Sequence, residues 1–363
     1  MKNKYLFLII AITVLFQSCE KEIEFSSETI TPKLVVNGFI HQDSLISIVV
    51  GTTKLIPGVE KAFTWIDNAT VKLFVDGIEK ETLTTYDISY DTTNFNYFPD
   101  TTRAKKGYHT LTTQAETGKT YRLEISHPNY KTINCETTLP KTVVIESIDT
   151  ITQLIDPKNS YSGTHLKVTL KFSDPSNEKN FYRLVYKSLL GVANTTDTVS
   201  HHSIIVYNQN FGTDIDSEDP VLNPEQENAN DLLFGTPNNT YNLFTGDYID
   251  GKEYEMSFFI SPYYMKSFRD IDTSNGEFLR LTIELQSISE DAYLYMKSVS
   301  ASNYYNNDLF SEPVQVYTNI ENGTGIFAGY SSDSKTIQKG EYPIAGINYQ
   351  IQNQGFYYFY YSY

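Results

Sequence analysis

The sequence is poor in the residues that most often carry reactions. In 363 residues it has two cysteines, one tryptophan, four methionines and six histidines. It lacks H-E-x-x-H, G-x-S-x-G and a phosphate-cradling P-loop, and so lacks the local signatures of a zinc protease, an α/β-hydrolase or a nucleotide hydrolase. It has no repeat of 20–50 residues that would mark a solenoid or propeller. Its longest apolar run, Tyr5 to Phe16, falls short of the roughly 20 residues needed to span a bilayer. Charge is sparse and one-sided: charged residues make up 20%, with 28 basic against 44 acidic and a net charge of -16. That balance excludes nucleic acid and anionic lipid headgroups as partners. What is abundant is aromatic: 29 tyrosines and 21 phenylalanines. A disordered chain is aromatic-poor, so this one folds. Tyrosine favours strands and half-buried surfaces.

The first 18 residues read as an export signal, with Lys2 and Lys4 ahead of the apolar run. The run ends Phe16-Gln17-Ser18-Cys19, which resembles, in looser form, the lipobox of bacterial lipoproteins. The resemblance implies that the Cys19 thiol receives palmitate-type acyl chains and becomes the first mature residue. Each buried methylene then holds the protein to the bilayer by about 0.8 kcal/mol. The plain alternative is a secretory signal with a chance cysteine. Residues 19–32 become a lipidated tether. Its Glu20-Lys21-Glu22 run is similar to the export address of Bacteroidota surface lipoproteins, which implies an outer-membrane location with the chain facing the cell surface. Removing residues 1–18 takes two lysines from a net charge of -16 and leaves -18. It also leaves Cys135 as the only thiol not lipidated, so no internal disulfide forms. Cys135 sits in a strand-like run and reads as a small core residue.

From Pro32 onward apolar residues alternate with period two between turn signals. Val71-Lys72-Leu73-Phe74-Val75 meets Asp76-Gly77, a strong hairpin signal. Leu166, Val168, Leu170 and Phe172 share one face, as do Leu279, Leu281, Ile283 and Leu285. Asn322-Gly323 is expected to join Val314–Tyr317 to Ile326–Tyr330 as a further hairpin. The fold class is all-β: an immunoglobulin-like β-sandwich over residues 33–140, then a larger β-sandwich domain over 141–363. One helix is predicted near 289–301, opened by a capping box on Ser287 and Glu290 and packed over a sheet edge or the end of a sandwich. Asn208 to Asn242 reads as a long polar loop. The closing Gly355-Phe356-Tyr357-Tyr358-Phe359-Tyr360-Tyr361 reads as a buried last strand.

Several motifs together resemble a known family. They are Lys33-Leu34-Val35-Val36-Asn37-Gly38, Asp67-Asn68-Ala69-Thr70-Val71 with Gly118-Lys119-Thr120-Tyr121, and Phe172-Ser173-Asp174-Pro175 with Asn180-Phe181-Tyr182-Arg183-Leu184. The most specific is Phe310-Ser311-Glu312-Pro313-Val314 followed by Asn319-Ile320-Glu321-Asn322-Gly323-Thr324-Gly325-Ile326-Phe327. They look like a Bacteroidota outer-membrane lipoprotein family, a domain of unknown function whose members are typically encoded beside TonB-dependent receptors. The resemblance implies an accessory or binding protein that assists such a receptor in nutrient uptake. It supplies no catalytic residues. A structural or adhesive cell-surface lipoprotein is the alternative, and a hydrolase working through paired carboxylates is the third reading.

Two sets of residues are candidates for binding. Asp214, Asp216, Glu218 and Asp219 concentrate hard oxygens that calcium favours, although the glycine and distal glutamate of an EF-hand loop are absent; the plain alternative is a solvated loop. Trp65, Tyr263, Tyr264, Tyr304 and Tyr305 stand near the ends of strand- or helix-like runs and are candidates to stack on a ligand or pack against a partner; ordinary core packing is the alternative. No catalytic residue and no cofactor other than calcium is expected.

Overall fold

The computed structural model describes residues 32–53, 64–88, 106–155, 163–195, 202–212, 215–223, 239–260, 273–275, 277–305, 314–340 and 350–353. The first half forms β1 (Leu34–His41), β2 (Leu45–Thr52), β3 (Thr70–Val75), β4 (Ile78–Thr82), β5 (Thr84–Asp87), β6 (Lys106–Gln114), β7 (Thr120–His127) and β8 (Tyr130–Thr138). Next come β9 (Ile145–Ile155), β10 (Gly163–Ser173), β11 (Phe181–Thr195), β12 (His202–Gly212), β13 (Ile215–Asp216), β14 (Leu243–Thr245) and β15 (Glu253–Ile260). The last elements are β16 (Glu277–Ile288), helix α1 (Glu290–Tyr305), β17 (Thr324–Lys339) and β18 (Gln350–Asn353).

The fold is all-β and sandwich-like. One large sheet runs β18-β12-β11-β16-β17-β1-β2-β6-β5, with β14 also paired to β11. Two four-stranded sheets, β4-β3-β7-β8 and β13-β15-β10-β9, lie against it. Period-two alternation explains the layers. Leu34, Val36 and Ile40 of β1 and Ile46, Ile48 and Val50 of β2 face Val71 and Leu73 of β3 and Tyr121, Leu123 and Ile125 of β7 in one core. Leu279, Leu281, Ile283 and Leu285 of β16 face Leu166, Val168, Leu170 and Phe172 of β10 in a second. Leu139 belongs to the first core and Val143 to the second.

Strand β17 joins the two halves. It runs parallel to β1, from Val35 opposite Thr324 to His41 opposite Tyr330, and antiparallel to β16, from Ile288 opposite Tyr330 to Leu279 opposite Lys339. Phe327 points into the first core, while its neighbours Ile326 and Ala328 point to the other face of the sheet and meet α1. Where β1 ends, a side chain continues the ladder. Gln42 Oε1 accepts from the Ser332 N–H at 3.2 Å, and Gln42 Nε2 donates to the Ser332 carbonyl at 3.2 Å.

Four expectations are corrected here. The helix begins at Glu290 and runs on to Tyr305. Its cap is Ser289, whose Oγ accepts from the Ala292 N–H at 3.3 Å, whereas Ser287 is buried in β16 and accepts from the Val143 N–H. The strand lasts longer than the capping pattern implied, because Gln286, Ser287 and Ile288 still pair with β17. The helix covers the outer face at the middle of the large sheet, with Ala292, Tyr295 and Met296 on Phe181, Ile288, Ile326 and Ala328. Finally, residues 314–320 form no strand, so Asn322 does not turn a hairpin. Of the stretch expected as a loop, 208–212 belongs to β12.

Candidate functional site

The tyrosine and aspartate content converges on a repeated arrangement. Tyr182 of β11 donates to Oδ1 of Asp174 at 2.5 Å, and Asn180 Nδ2 donates to the same oxygen at 3.3 Å. Tyr254 of β15 donates to Asp219 Oδ1 at 2.8 Å, and Tyr317 donates to Asp291 Oδ1 at 2.7 Å. Each pair ties a non-strand segment or a helix start to a neighbouring element. Burial raises all three tyrosine hydroxyls above their ordinary range, and the carboxylate partners add to the rise; for Tyr317 the value is about 12. Burial likewise raises Asp174 and Asp291, against the pull of their hydrogen-bond donors.

Two further tyrosines tie backbone to backbone. Tyr121 at the start of β7 accepts from the Glu116 N–H at 2.6 Å and donates to the Glu116 carbonyl at 3.3 Å. This is the tyrosine-corner device of Greek-key sandwiches. Tyr108 of β6 accepts from the Ala69 N–H and donates to the Ile66 carbonyl.

The stretch 319–327 is a clamp. Asn319 Nδ2 donates to the Phe327 carbonyl at 2.7 Å and to the Glu136 carbonyl at 3.1 Å, and its Oδ1 accepts from the Phe327 N–H at 3.0 Å. Glu321 bridges Asn134 of β8. Gly325 has φ 102°, and a Cβ there would collide with the Val36 carbonyl oxygen of β1. The most specific stretch of the resemblance therefore positions β17 beside β1 and β8. Likewise, Asp174 with Asn180 and Tyr182 positions the β10–β11 connection.

The candidate calcium residues are placed as follows. Asp214 lies outside the described residues. Asp216 and Glu218 are exposed. Both carboxylate oxygens of Asp219 accept protein donors: Val221 N–H and Tyr254 Oη on Oδ1, Ser257 N–H on Oδ2. Among the described residues, no group of three or more His, Cys, Asp and Glu is placed to hold a metal ion.

The candidate aromatics are not brought together. Tyr263 and Tyr264 lie outside the described residues, Tyr305 is described by its backbone alone, and Tyr304 is exposed in the last turn of α1. Trp65 is half-buried, bridged to Gly51 of β2, where a Cβ would stand 3.1 Å from its ring. Cys19 and the aromatic terminus 354–363 also lie outside the described residues. Cys135 is buried in the first core, and burial pushes its thiol up to about 12.

Trp65 belongs to one end of the first sandwich. Gly51 pairs with Val35, and Lys33 exchanges hydrogen bonds with Thr53 at 2.9 and 3.0 Å. The chain therefore leaves toward residue 19 two strands from Trp65. Three residues on, Asn68 Oδ1 meets His127 Nε2 at 3.1 Å, and the His127 ring lies 5.1 Å from that of Tyr130. Sequence reading selected Trp65 but not His127 or Tyr130, since only the pairing of β3 with β7 brings them to this end.

Among the described residues, another ionic group is buried. Glu284 on the outer face of the large sheet accepts from Lys187 at 2.7 Å and from Gln286 at 2.8 Å. Burial pushes its carboxyl up, but these donors overcome that and hold it below the ordinary range.

These features define a class: a β-sandwich protein whose buried polar groups hold loops and strands in place. The chain matches the family model described as a domain of unknown function, DUF4249, over residues 20–336, and it belongs to that family. No curated protein matches it significantly.

Proposed function

We propose that this protein is a lipid-anchored outer-membrane accessory or binding protein that assists a TonB-dependent receptor in nutrient uptake. The observation that carries the reading is where the family match begins. It starts at residue 20, directly after Cys19, the thiol that would carry the lipid. The motifs that carry the resemblance act here as staples and clamps, which suits a binding scaffold whose ligand or partner meets it at a surface.

The test has two parts. Cells expressing the protein are fed an alkyne palmitate analogue, and the protein is followed into the outer-membrane fraction. The wild type is expected to be labelled and membrane-bound, and Cys19→Ala to be unlabelled. A wild-type protein that is exported but carries no label rules out the anchor. Mild detergent extraction followed by pull-down is expected to recover a large outer-membrane barrel. Recovery of the protein alone removes the receptor from the proposal.

A further inference from the structure

We infer that the end of the first sandwich bearing Trp65 and Tyr130 seats on the zwitterionic headgroup layer of the bilayer, an inference that rests on the anchored reading above. Three observations carry it. First, the tether leaves from this end. Lys33 is hydrogen-bonded to Thr53 at the finish of β2, and β1 starts at Leu34, so only residues 20–32 separate the fold from Cys19. Second, the sole tryptophan of the chain lies here, half-buried over Gly51. The His127–Tyr130 ring pair is linked to the same segment through Asn68. Tryptophan and tyrosine concentrate at membrane–water interfaces because one part of each ring system is apolar and the other hydrogen-bonds. Third, Lys33 and Lys131 are exposed at this end, and lysine stems reach across an apolar boundary while the ammonium stays in water. The net charge of -16 opposes anionic lipid, which leaves a neutral headgroup layer as the surface that fits. The plain alternative is that Trp65 only covers Gly51.

Because Trp65 is the only tryptophan, its emission reports on this end alone. The mature chain is purified with its own lipid. In parallel, the unlipidated chain is coupled at Cys19 to a maleimide phospholipid, a reaction the buried Cys135 does not enter. Both are placed in phosphatidylcholine vesicles whose acyl chains carry bromine near the headgroup. Trp65 emission is expected to fall roughly twofold relative to unbrominated vesicles, as for an interfacial ring. A second protein, Trp65→Phe with Leu45→Trp, moves the reporter to the far end of β2, about 20 Å along the strand, and its emission is expected to stay unchanged. If Leu45→Trp does not fold, Leu111→Trp, at an exposed position of β6, takes its place. Unchanged Trp65 emission, or equal quenching at both ends, overturns the proposal. The intact mass of the native protein reports separately on Cys19. A missing acyl group there defeats the anchored reading, while the maleimide-coupled protein still decides how the fold seats.

Discussion

The hydroxyl of Tyr182 donates to Oδ1 of Asp174 at 2.5 Å, with both side chains almost fully buried between β10 and β11. A carboxylate in such a site is costly unless donors face it. Tyr182→Phe removes the shorter of its two side-chain donors and is expected to cost about 1–3 kcal/mol, measured by urea unfolding at neutral pH.

The same pair predicts a pH dependence. The folded-state pKa of Asp174 lies above its ordinary 3.8, so the folded protein binds this proton more tightly than the unfolded chain. Stability contributed by the protonated form is complete below 3.8 and is lost as pH rises through the folded value. Asp174→Asn carries no such proton. In urea titrations from acid to neutral pH, the wild type is expected to lose stability relative to Asp174→Asn as pH rises, and to level off above the raised pKa. A parallel pair of curves would remove Asp174 as the source.

How far the fold was legible in sequence depends on the range of each contact. Asp76-Gly77 signalled a tight turn, and both residues have positive φ, 49° and 81°, between β3 and β4. The alternating faces of β10 and β16 were equally local signals. The parallel pairing of β1 with β17 was not, because it joins segments almost 290 residues apart and leaves no mark on the period of either. The Asn322-Gly323 signal misled for a related reason. The dipeptide fits a hairpin, but Asn319 and Glu321 take their partners from Phe327, Glu136 and Asn134, so 314–320 packs without becoming a strand. The staples were legible only as motifs. Phe172-Ser173-Asp174-Pro175 and Asn180-Phe181-Tyr182 stood out, while the bond between Asp174 and Tyr182 needed the fold.

Gly325 offers a test of the clamp. Its φ of 102° and the nearby Val36 carbonyl leave no room for a Cβ without moving β1 or β17. Gly325→Ala is expected to cost on the order of 3 kcal/mol or more. Gly77→Ala is the control: its φ is also positive, but a Cβ there meets nothing within 4 Å. It is expected to cost about 1–2 kcal/mol from backbone strain alone. Similar losses for the two would mean that the β1–β17 contact is not tight.

Cys135 separates burial from reactivity. Its thiol is pushed up to about 12 by burial in the first core, so at neutral pH almost no thiolate forms, and only the thiolate reacts. In the Cys19→Ala chain, a disulfide reagent is expected to label no thiol under native conditions and one after unfolding in guanidinium. Rapid native labelling would show that β8 opens readily.

The shared sheet predicts how the molecule unfolds. The first core needs Phe327, and the ladder of β1 needs β17, yet β17 also pairs with β16 over the second core. A chain stopped at residue 140 therefore lacks one side of its own sheet and exposes β1 as an unpaired edge. Expressed alone, that fragment is expected to be protease-sensitive and without a cooperative thermal transition, while the whole chain unfolds in one transition seen equally by far-ultraviolet dichroism and by Trp65 emission. Because Trp65 sits in the first half and most of the long strands in the second, two separated midpoints would show that the halves melt independently and that the β1–β17 pairing contributes little to either.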